Sequence, residues 1–203
     1  MPLPLSGTPT NGGSIEVICG CMFAGKSTEL IRRMERAAIA KHTCFIFKPK
    51  MDNRYSKDHV VSHNGIKIPC EAIPSDNDRG SLRGHVMGMI SEINGPTAVG
   101  FDEAQFFDAD MLVNLCEHLA SQGARVIVAG LDQDVHGKPF GAMPYLLARA
   151  DKVTKLSAIC TVCGEEATKS RYTLESPPGE GGVIIGGTES YEARCRAHWK
   201  LVS

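Results

Sequence analysis

Gly20-Cys21-Met22-Phe23-Ala24-Gly25-Lys26-Ser27-Thr28 is the stretch that decides how the rest of the chain is read. Its spacing, G-x-x-x-x-G-K-S, is that of a phosphate-binding loop. A short apolar run, Ile15-Glu16-Val17-Ile18-Cys19, leads into it and a helix-patterned stretch follows. Strand, loop and helix in that order are the context the motif needs. The glycines let successive backbone N–H groups converge on phosphate oxygens at the positive end of the following helix. Lys26 is placed to reach the outer phosphates and the Ser27 hydroxyl to ligate Mg²⁺. A plain glycine turn before a helix would require neither side chain. The stretch predicts binding of a nucleoside triphosphate.

Working outward, the 203-residue chain is long enough for one compact domain with a small appendage. A formal net charge of -1 and a pI near 6.6 leave no basic footprint, which argues against a primary nucleic-acid binder. No apolar run approaches the roughly 18 residues of a membrane span. Residues 1–13, rich in Pro, Gly and Thr, lack the basic start and apolar core of a signal peptide, and are expected to form a disordered tail. The 8 cysteines then fit reduced thiols and a metal site in the cytoplasm better than a disulfide framework.

Beyond the loop, Leu30, Ile31, Met34, Ala37 and Ala38 recur at helical spacing, with Arg32, Arg33, Glu35 and Arg36 read as a solvated face. Thr43-Cys44-Phe45-Ile46-Phe47 reads as a buried strand. Lys50-Met51-Asp52-Asn53-Arg54-Tyr55-Ser56 is polar and aperiodic, an exposed loop on pattern alone. Asn64-Gly65 between short apolar runs predicts a hairpin turn. A weaker helix follows over Leu82, Val86, Met89, Ile90 and Ile93. Thr97-Ala98-Val99-Gly100-Phe101 then runs into Asp102-Glu103. An apolar strand ending in adjacent carboxylates delivers the first toward Mg²⁺ and the second toward the attacking group. Asp108 or Asp110 can cap the next helix, whose stripe of Met111, Leu112, Leu115, Cys116 and Leu119 reads as core, and Gly123 closes it. Arg125 to Ala129 forms another strand, and the Gly/Pro-rich segment from Gly130 to Gly141 occupies the place where open α/β sheets carry ligand loops. A short helix around Tyr145 and a last strand, Lys152 to Leu156, complete an alternation that predicts a parallel sheet covered on both faces.

The composition then changes. Cys160-Thr161-Val162-Cys163 and Cys195-Arg196-Ala197-His198 are paired knuckles, each with two residues between the outer two. Tetrahedral Zn²⁺ takes thiolates and imidazole at this spacing. A redox role for the first pair would want a thioredoxin-like helix after it, and none is patterned there. With Cys160, Cys163, Cys195 and His198 filling the four positions, the metal is expected to be structural. Between the knuckles, residues 183–191 are apolar and glycine-containing. They suit either a lid anchored at both ends by one metal or a surface β-hairpin.

Taken in order, Gly20-x-Met22-Phe23-x-Gly25-Lys26-Ser27-Thr28, Asp102-Glu103-Ala104-Gln105-Phe106-Phe107, Gly130-Leu131-Asp132 with Lys138-Pro139-Phe140-Gly141, the knuckles, and Ile185-Gly186-Gly187 with Tyr191 resemble the type II thymidine kinases. The resemblance spans about Ile15 to Trp199. It implies an α/β fold of the P-loop NTPase (RecA-like) kind, with a mostly parallel sheet at 14–156 and a zinc-held lasso at 157–203. It implies transfer of the γ-phosphoryl of ATP to the 5′-hydroxyl of thymidine, with tolerance of deoxyuridine, to give dTMP for nucleotide salvage. Glu103 is then the general base. Gly20 to Thr28 (Cys21 and Ala24 included), Asp52, Arg54, Asp102, Ala104 and Gln105 serve ATP and magnesium. Met22, Leu131, Val135, Phe140 and Tyr191 line the nucleoside pocket, and backbone groups of Val183, Ile184, Ile185, Gly186 and Gly187 meet the thymine edge. The resemblance also implies a cytoplasmic homotetramer inhibited by dTTP, with no nucleic-acid or membrane partner.

Two departures stand out. Val135 occupies a position where some relatives carry an aromatic residue over the nucleoside, which weakens stacking there. His198 replaces the cysteine of animal members, but imidazole is an equally good zinc ligand. Three rivals compete with this reading. Asp102-Glu103-Ala104-Gln105 resembles a helicase motif, although a helicase-like ATPase would want a second motor domain and a basic track. A non-enzymatic zinc-ribbon module would leave Lys26 and Glu103 without purpose. A kinase for another deoxynucleoside would share every motif named.

Overall fold

The computed structural model describes residues 12–50, 59–61, 67–73, 81–90, 95–173 and 190–200. The tail through residue 11, Asp52 and Arg54, the expected turn at Asn64-Gly65, and residues 183–187 lie outside them.

The apolar strands assemble into one seven-stranded sheet. In chain order they are β1 (Ser14–Gly20), β2 (Thr43–Pro49), β3 (His59–Val61), β4 (Lys67–Ile73), β5 (Thr97–Phe101), β6 (Arg125–Gly130) and β7 (Lys152–Leu156). Across the sheet they lie β3-β4-β2-β5-β6-β1-β7. Every neighbouring pair is parallel except β3 with β4, which are antiparallel with Val61 opposite Lys67, a register one residue away from the Val61–Ile68 pairing that a two-residue turn at Asn64-Gly65 would set. The strand bearing the phosphate loop and the strand ending in Asp102 are thus held apart by β6 alone.

The two faces of β1 explain its unbroken apolar run. Side chains alternate across a strand, so Val17 and Cys19 enter one core and Ile18 the other. Helix α1 (Lys26–Ile39) covers one face with Leu30, Met34 and Ala37. Helices α2 (Ser81–Ile90), α3 (Ala109–Ser121) and α4 (Met143–Arg149) cover the other, contributing Leu82, Val86, Leu112, Leu115, Leu119, Met143 and Leu146. Of the two cap candidates Asp108 is the one used, its Oδ1 accepting from the Met111 N–H at 2.9 Å. Cys44 and Cys116 are core residues, as expected. No helix among the described residues is long and apolar enough to cross a membrane.

One expectation fails. Arg33 is not on a solvated face but 5 % exposed. Its guanidinium donates to Glu16 Oε2 of β1 at 2.8 Å, to Glu29 Oε1 at 2.8 Å and to Thr154 Oγ1 of β7 at 2.8 Å. Arg125 donates to the other Glu16 oxygen at 2.6 Å. Helical periodicity misplaced Arg33 because an arginine buries well when its five donors find acceptors, and two of those acceptors, Glu16 and Thr154, come from strands outside the helix.

The C-terminal part folds as two small antiparallel ladders, β8 (Ala158–Ile159) with β9 (Glu166–Ala167) and β10 (Lys169–Tyr172) with β11 (Tyr191–Arg194). Cys21 of the phosphate loop joins Ala158, Cys160, Ala167 and Ala193 in a third, small core. That contact places these hairpins directly against the nucleotide loop.

Candidate active site

The loop between β1 and α1 has the shape its glycines require. Gly20 adopts φ 145°, and a Cβ there would run into the Leu156 carbonyl of β7. Gly25 caps α1 with φ 81°. Cys21 is buried and its thiol donates to the Ala167 carbonyl at 3.2 Å. Burial pushes that thiol above its usual range. The Met22 N–H donates to Ser170 Oγ at 3.0 Å. Phe23 and Thr28 are exposed, whereas Ala24 is half-buried.

Lys26 folds back over the loop, its Nζ donating to the Cys21 carbonyl at 2.7 Å. Burial lowers its pKa, against the charges of Glu103, Asp102 and Asp132, which raise it. The next residue, Ser27, donates from Oγ to Asp102 Oδ1 at 3.1 Å. This contact joins the two motifs read 75 residues apart in sequence. Burial pushes the Asp102 carboxyl up to about 6, helped by the neighbouring Glu103 charge and opposed by the Ser27 hydrogen bond. A buried carboxylate and a hydroxyl sharing one locus are the oxygen donors a hard cation takes.

Glu103 follows in the left-handed region, φ 50° and ψ 43°. Its N–H donates to Asp102 Oδ1 at 3.0 Å. A turn of 3₁₀ helix (Ala104–Phe106) then brings Gln105 round, so that its Nε2 donates to Glu103 Oε2 at 2.7 Å. The other end of the same amide accepts the Leu131 N–H at 2.9 Å. Gln105 is 3 % exposed with both ends engaged, and Ala104 beside it is fully buried. Phe140, at the far end of the loop after β6, meets Phe106 edge-on at 5.6 Å. Direct contacts therefore bring Ser27, Asp102, Glu103, Gln105 and Leu131 together, with Lys26 close enough to feel the charges of Glu103 and Asp102. Val135 is half-buried in the loop after β6. Tyr191 sits in β11, 8 % exposed, its ring edge-on to Tyr172 at 5.3 Å.

At the knuckles, the ligand atoms of Cys160, Cys163, Cys195 and His198 all lie within 4.8 Å of one another. Bonds of about 2.3 Å to a tetrahedral zinc set sulfurs about 3.8 Å apart. Cys163 and Cys195 Sγ are 3.8 Å apart, and His198 Nδ1 is 3.8 Å from Cys160 Sγ and 3.2 Å from Cys195 Sγ. Burial raises the Cys160 thiol, but hydrogen bonds from the backbone of Cys195, Val162 and Cys163 hold it below the ordinary range, toward the thiolate a metal needs. The four residues fit structural zinc.

Sequence reasoning missed Ser170, Lys169 and Trp199, all of which touch the loops of the site. Ser170 gives no signal in an unpatterned stretch, and nothing local marks Lys169 as a cation 8 % exposed.

A phosphate loop at the end of β1, a carboxylate at the end of β5 bonded to the loop's serine, and helices on both faces define a P-loop nucleotide-binding protein. Residues 13–199 match the family model for thymidine kinase, and the chain belongs to the thymidine kinase family. It is an enzyme, a nucleoside kinase, and its family implies ATP use. The helicase-like and zinc-module readings give way to this membership. Among solved structures, the chain is similar to the genome packaging NTPase B204 from Sulfolobus turreted icosahedral virus 2, in complexes with ATP-gammaS and with sulfate. Each match has 19 % identity and a TM-score of 0.49, covering 75 % of this chain and 77 % of that one.

Proposed function

We propose that the protein transfers the γ-phosphoryl of ATP to the 5′-hydroxyl of thymidine, giving dTMP and ADP. The observation that carries this reading is the short path from the Ser27–Asp102 contact at 3.1 Å to the Glu103 carboxylate next to it in sequence. A phosphate cradle and a proton acceptor side by side are what phosphoryl transfer to a hydroxyl demands.

In this mechanism the loop N–H groups and Lys26 gather the triphosphate, with Lys26 exchanging the Cys21 carbonyl for phosphate oxygens. Mg²⁺, held at Ser27 and Asp102 with Asp52 nearby in sequence expectation, would neutralise phosphate charge. Glu103 accepts the 5′-hydroxyl proton as the oxygen bonds to the γ-phosphorus and the bond to the β-phosphate oxygen breaks. Positioning supplies much of the rate, since little covalent chemistry falls to the protein. Met22, Leu131, Val135, Phe140 and Tyr191 would wall the nucleoside, with the backbone of residues 183–187 reading the base and Arg54 serving phosphate. Zinc at the knuckles would hold those elements in place and take no part in chemistry. Inhibition by dTTP and assembly as a homotetramer belong to the same proposal.

The test is a panel of thymidine, deoxyuridine, deoxycytidine and deoxyguanosine with ATP, reading monophosphate formation. Thymidine is expected to lead, with deoxyuridine behind it by roughly 10–200-fold, the worth of one methyl in a pocket. Preference for deoxycytidine or deoxyguanosine would overturn the substrate assignment and leave the kinase class standing.

A further inference from the structure

Trp199 is the only tryptophan of the chain, and it directly follows the last knuckle ligand. Its position is set by the knuckle turn, because the N–H groups of both His198 and Trp199 donate to the Cys195 carbonyl, at 3.1 and 2.9 Å. From there the indole reaches two other elements. Its Nε1 donates to the Ser170 carbonyl of β10 at 3.1 Å. Its six-membered ring lies on Gly137, where a Cβ would come within 2.9 Å of Cη2 and 3.3 Å of Cζ2.

The segment under the ring is a tight turn. Asp134 N–H donates to the Lys138 carbonyl at 3.0 Å, and Gly137 N–H to the Asp134 carbonyl at 3.1 Å. Asp134 Oδ1 accepts from His136 N–H at 2.9 Å and Lys138 N–H at 2.8 Å. Glycine is needed at 137 twice over, for its φ of 76° and for the space the indole fills. A second tie comes from Lys169, the residue before Ser170. Its ammonium bonds Gln133 Oε1 at 2.5 Å and stands 4.9 Å from the Trp199 ring centroid, within cation–π range.

We propose that Trp199 is a positioning residue: a latch through which the metal knuckle holds the loop after β6, and with it Val135 and Phe140, against β10. This inference rests on the reading that those two residues wall the nucleoside. The consequence is directional. Releasing the latch loosens the nucleoside wall and leaves the phosphate loop in place, because Met22 and Cys21 are held by Ser170 Oγ and Ala167 O and not by the indole.

The experiment uses the full zinc-loaded chain and the variants Trp199→Ala, Trp199→Phe and Gly137→Ala. Zinc content, amide hydrogen exchange of residues 133–138, and KM for thymidine and for ATP are measured on each. Trp199→Ala and Gly137→Ala are expected to retain one zinc, speed exchange in the turn at least tenfold, and raise the thymidine KM at least tenfold with the ATP KM within twofold. Trp199→Phe, which keeps an aromatic ring and loses the Ser170 bond, should fall between. In the wild type, chelation should red-shift the single indole emission and open it to iodide quenching. Unchanged exchange in the turn, or equal loss of ATP and thymidine affinity, would overturn the latch. Exchange and fluorescence decide this even if the nucleoside panel assigns a different substrate.

Discussion

Replacing Glu16 by glutamine tests the one place where the sequence reading and the folded chain disagree. Glu16 is 7 % exposed and Arg33 is 5 % exposed. The substitution keeps the volume and removes the charge that two guanidinium groups share. Removing one partner of a buried pair costs about 3–5 kcal/mol. Arg33 retains Glu29 at 2.8 Å, however, and Arg125 is 30 % exposed at its side chain, so the lower end, about 3 kcal/mol, applies. For a chain of this size that is a fall in Tm of about 6–12 °C. Glu29→Gln is the control: it weakens one of three Arg33 contacts but leaves those to Glu16 and Thr154 in place, and its other partner Arg32 is 55 % exposed, so about 1 kcal/mol is expected. The sign with pH follows from the carboxyl itself. Burial raises the Glu16 pKa, but Arg125 and Arg33 together hold it below the ordinary 4.5. Its contribution is therefore present above about 4.5 and fades as pH falls through the lower folded value. Urea melts of wild type and variant at pH 7 and at successively lower pH should converge in acid, loss of zinc cancelling between the two chains. Equal effects of Glu16→Gln and Glu29→Gln, or a gap that ignores pH, would refute the reasoning.

The remaining expectations concern the site. Glu103→Gln should cut kcat by roughly 10²–10⁴ with thymidine affinity retained, by stopped-flow and calorimetry; near-normal turnover would remove Glu103 as the base. Gln105→Leu should lower kcat about tenfold on its own and cost almost nothing further in the Glu103→Gln background, because a residue that acts through another is non-additive with it. A full additional loss in the double variant would make Gln105 a ligand contact in its own right. Cys163→Ser, or chelation of the wild type, should remove the bound metal and unfold the C-terminal hairpins first, seen as early protease cleavage after residue 157 and a lower first transition in the melt. Unchanged proteolysis with metal gone would make the zinc dispensable to the fold.

Much of this architecture was legible because it is written in local pattern. Continuous apolar runs such as Val126 to Ala129 sit on strands buried on both faces, and such strands need no alternation. The glycine-spaced loop and the two Cys/His pairs are legible for a stronger reason: phosphate and zinc each demand a fixed local spacing. What resisted reading is what long-range contact decides. Arg33 looks like any surface arginine until β1 and β7 present Glu16 and Thr154 to it. Gln105 read as part of a nucleotide motif, yet its amide is divided between Glu103 and Leu131, 26 residues further on. Trp199 carried no signal, since its partners Gly137 and Ser170 have no pattern in common with it.

The backbone at Glu103 adds an argument that sequence cannot supply. A glutamate at φ 50° is in a region that costs a non-glycine residue of order 1–3 kcal/mol, and it persists only where its surroundings over-determine it. They do so here. The Glu103 N–H donates to Asp102 Oδ1 at 3.0 Å, the Phe106 N–H donates to the Glu103 carbonyl at 3.1 Å, and Gln105 Nε2 donates to the Glu103 carboxylate at 2.7 Å. Glycine would fit the turn without strain, so the side chain is what the strain retains. The same turn lets one carboxylate of the Asp102-Glu103 pair stay in the core against Ser27 while the next leaves the strand direction, two tasks that an extended β5 could not give to adjacent residues because it would send them to opposite faces of the sheet. Phe23 and Lys41 also adopt positive φ, so the dihedral angle alone marks no base; what marks Glu103 is that this conformation falls on the second carboxylate of the motif.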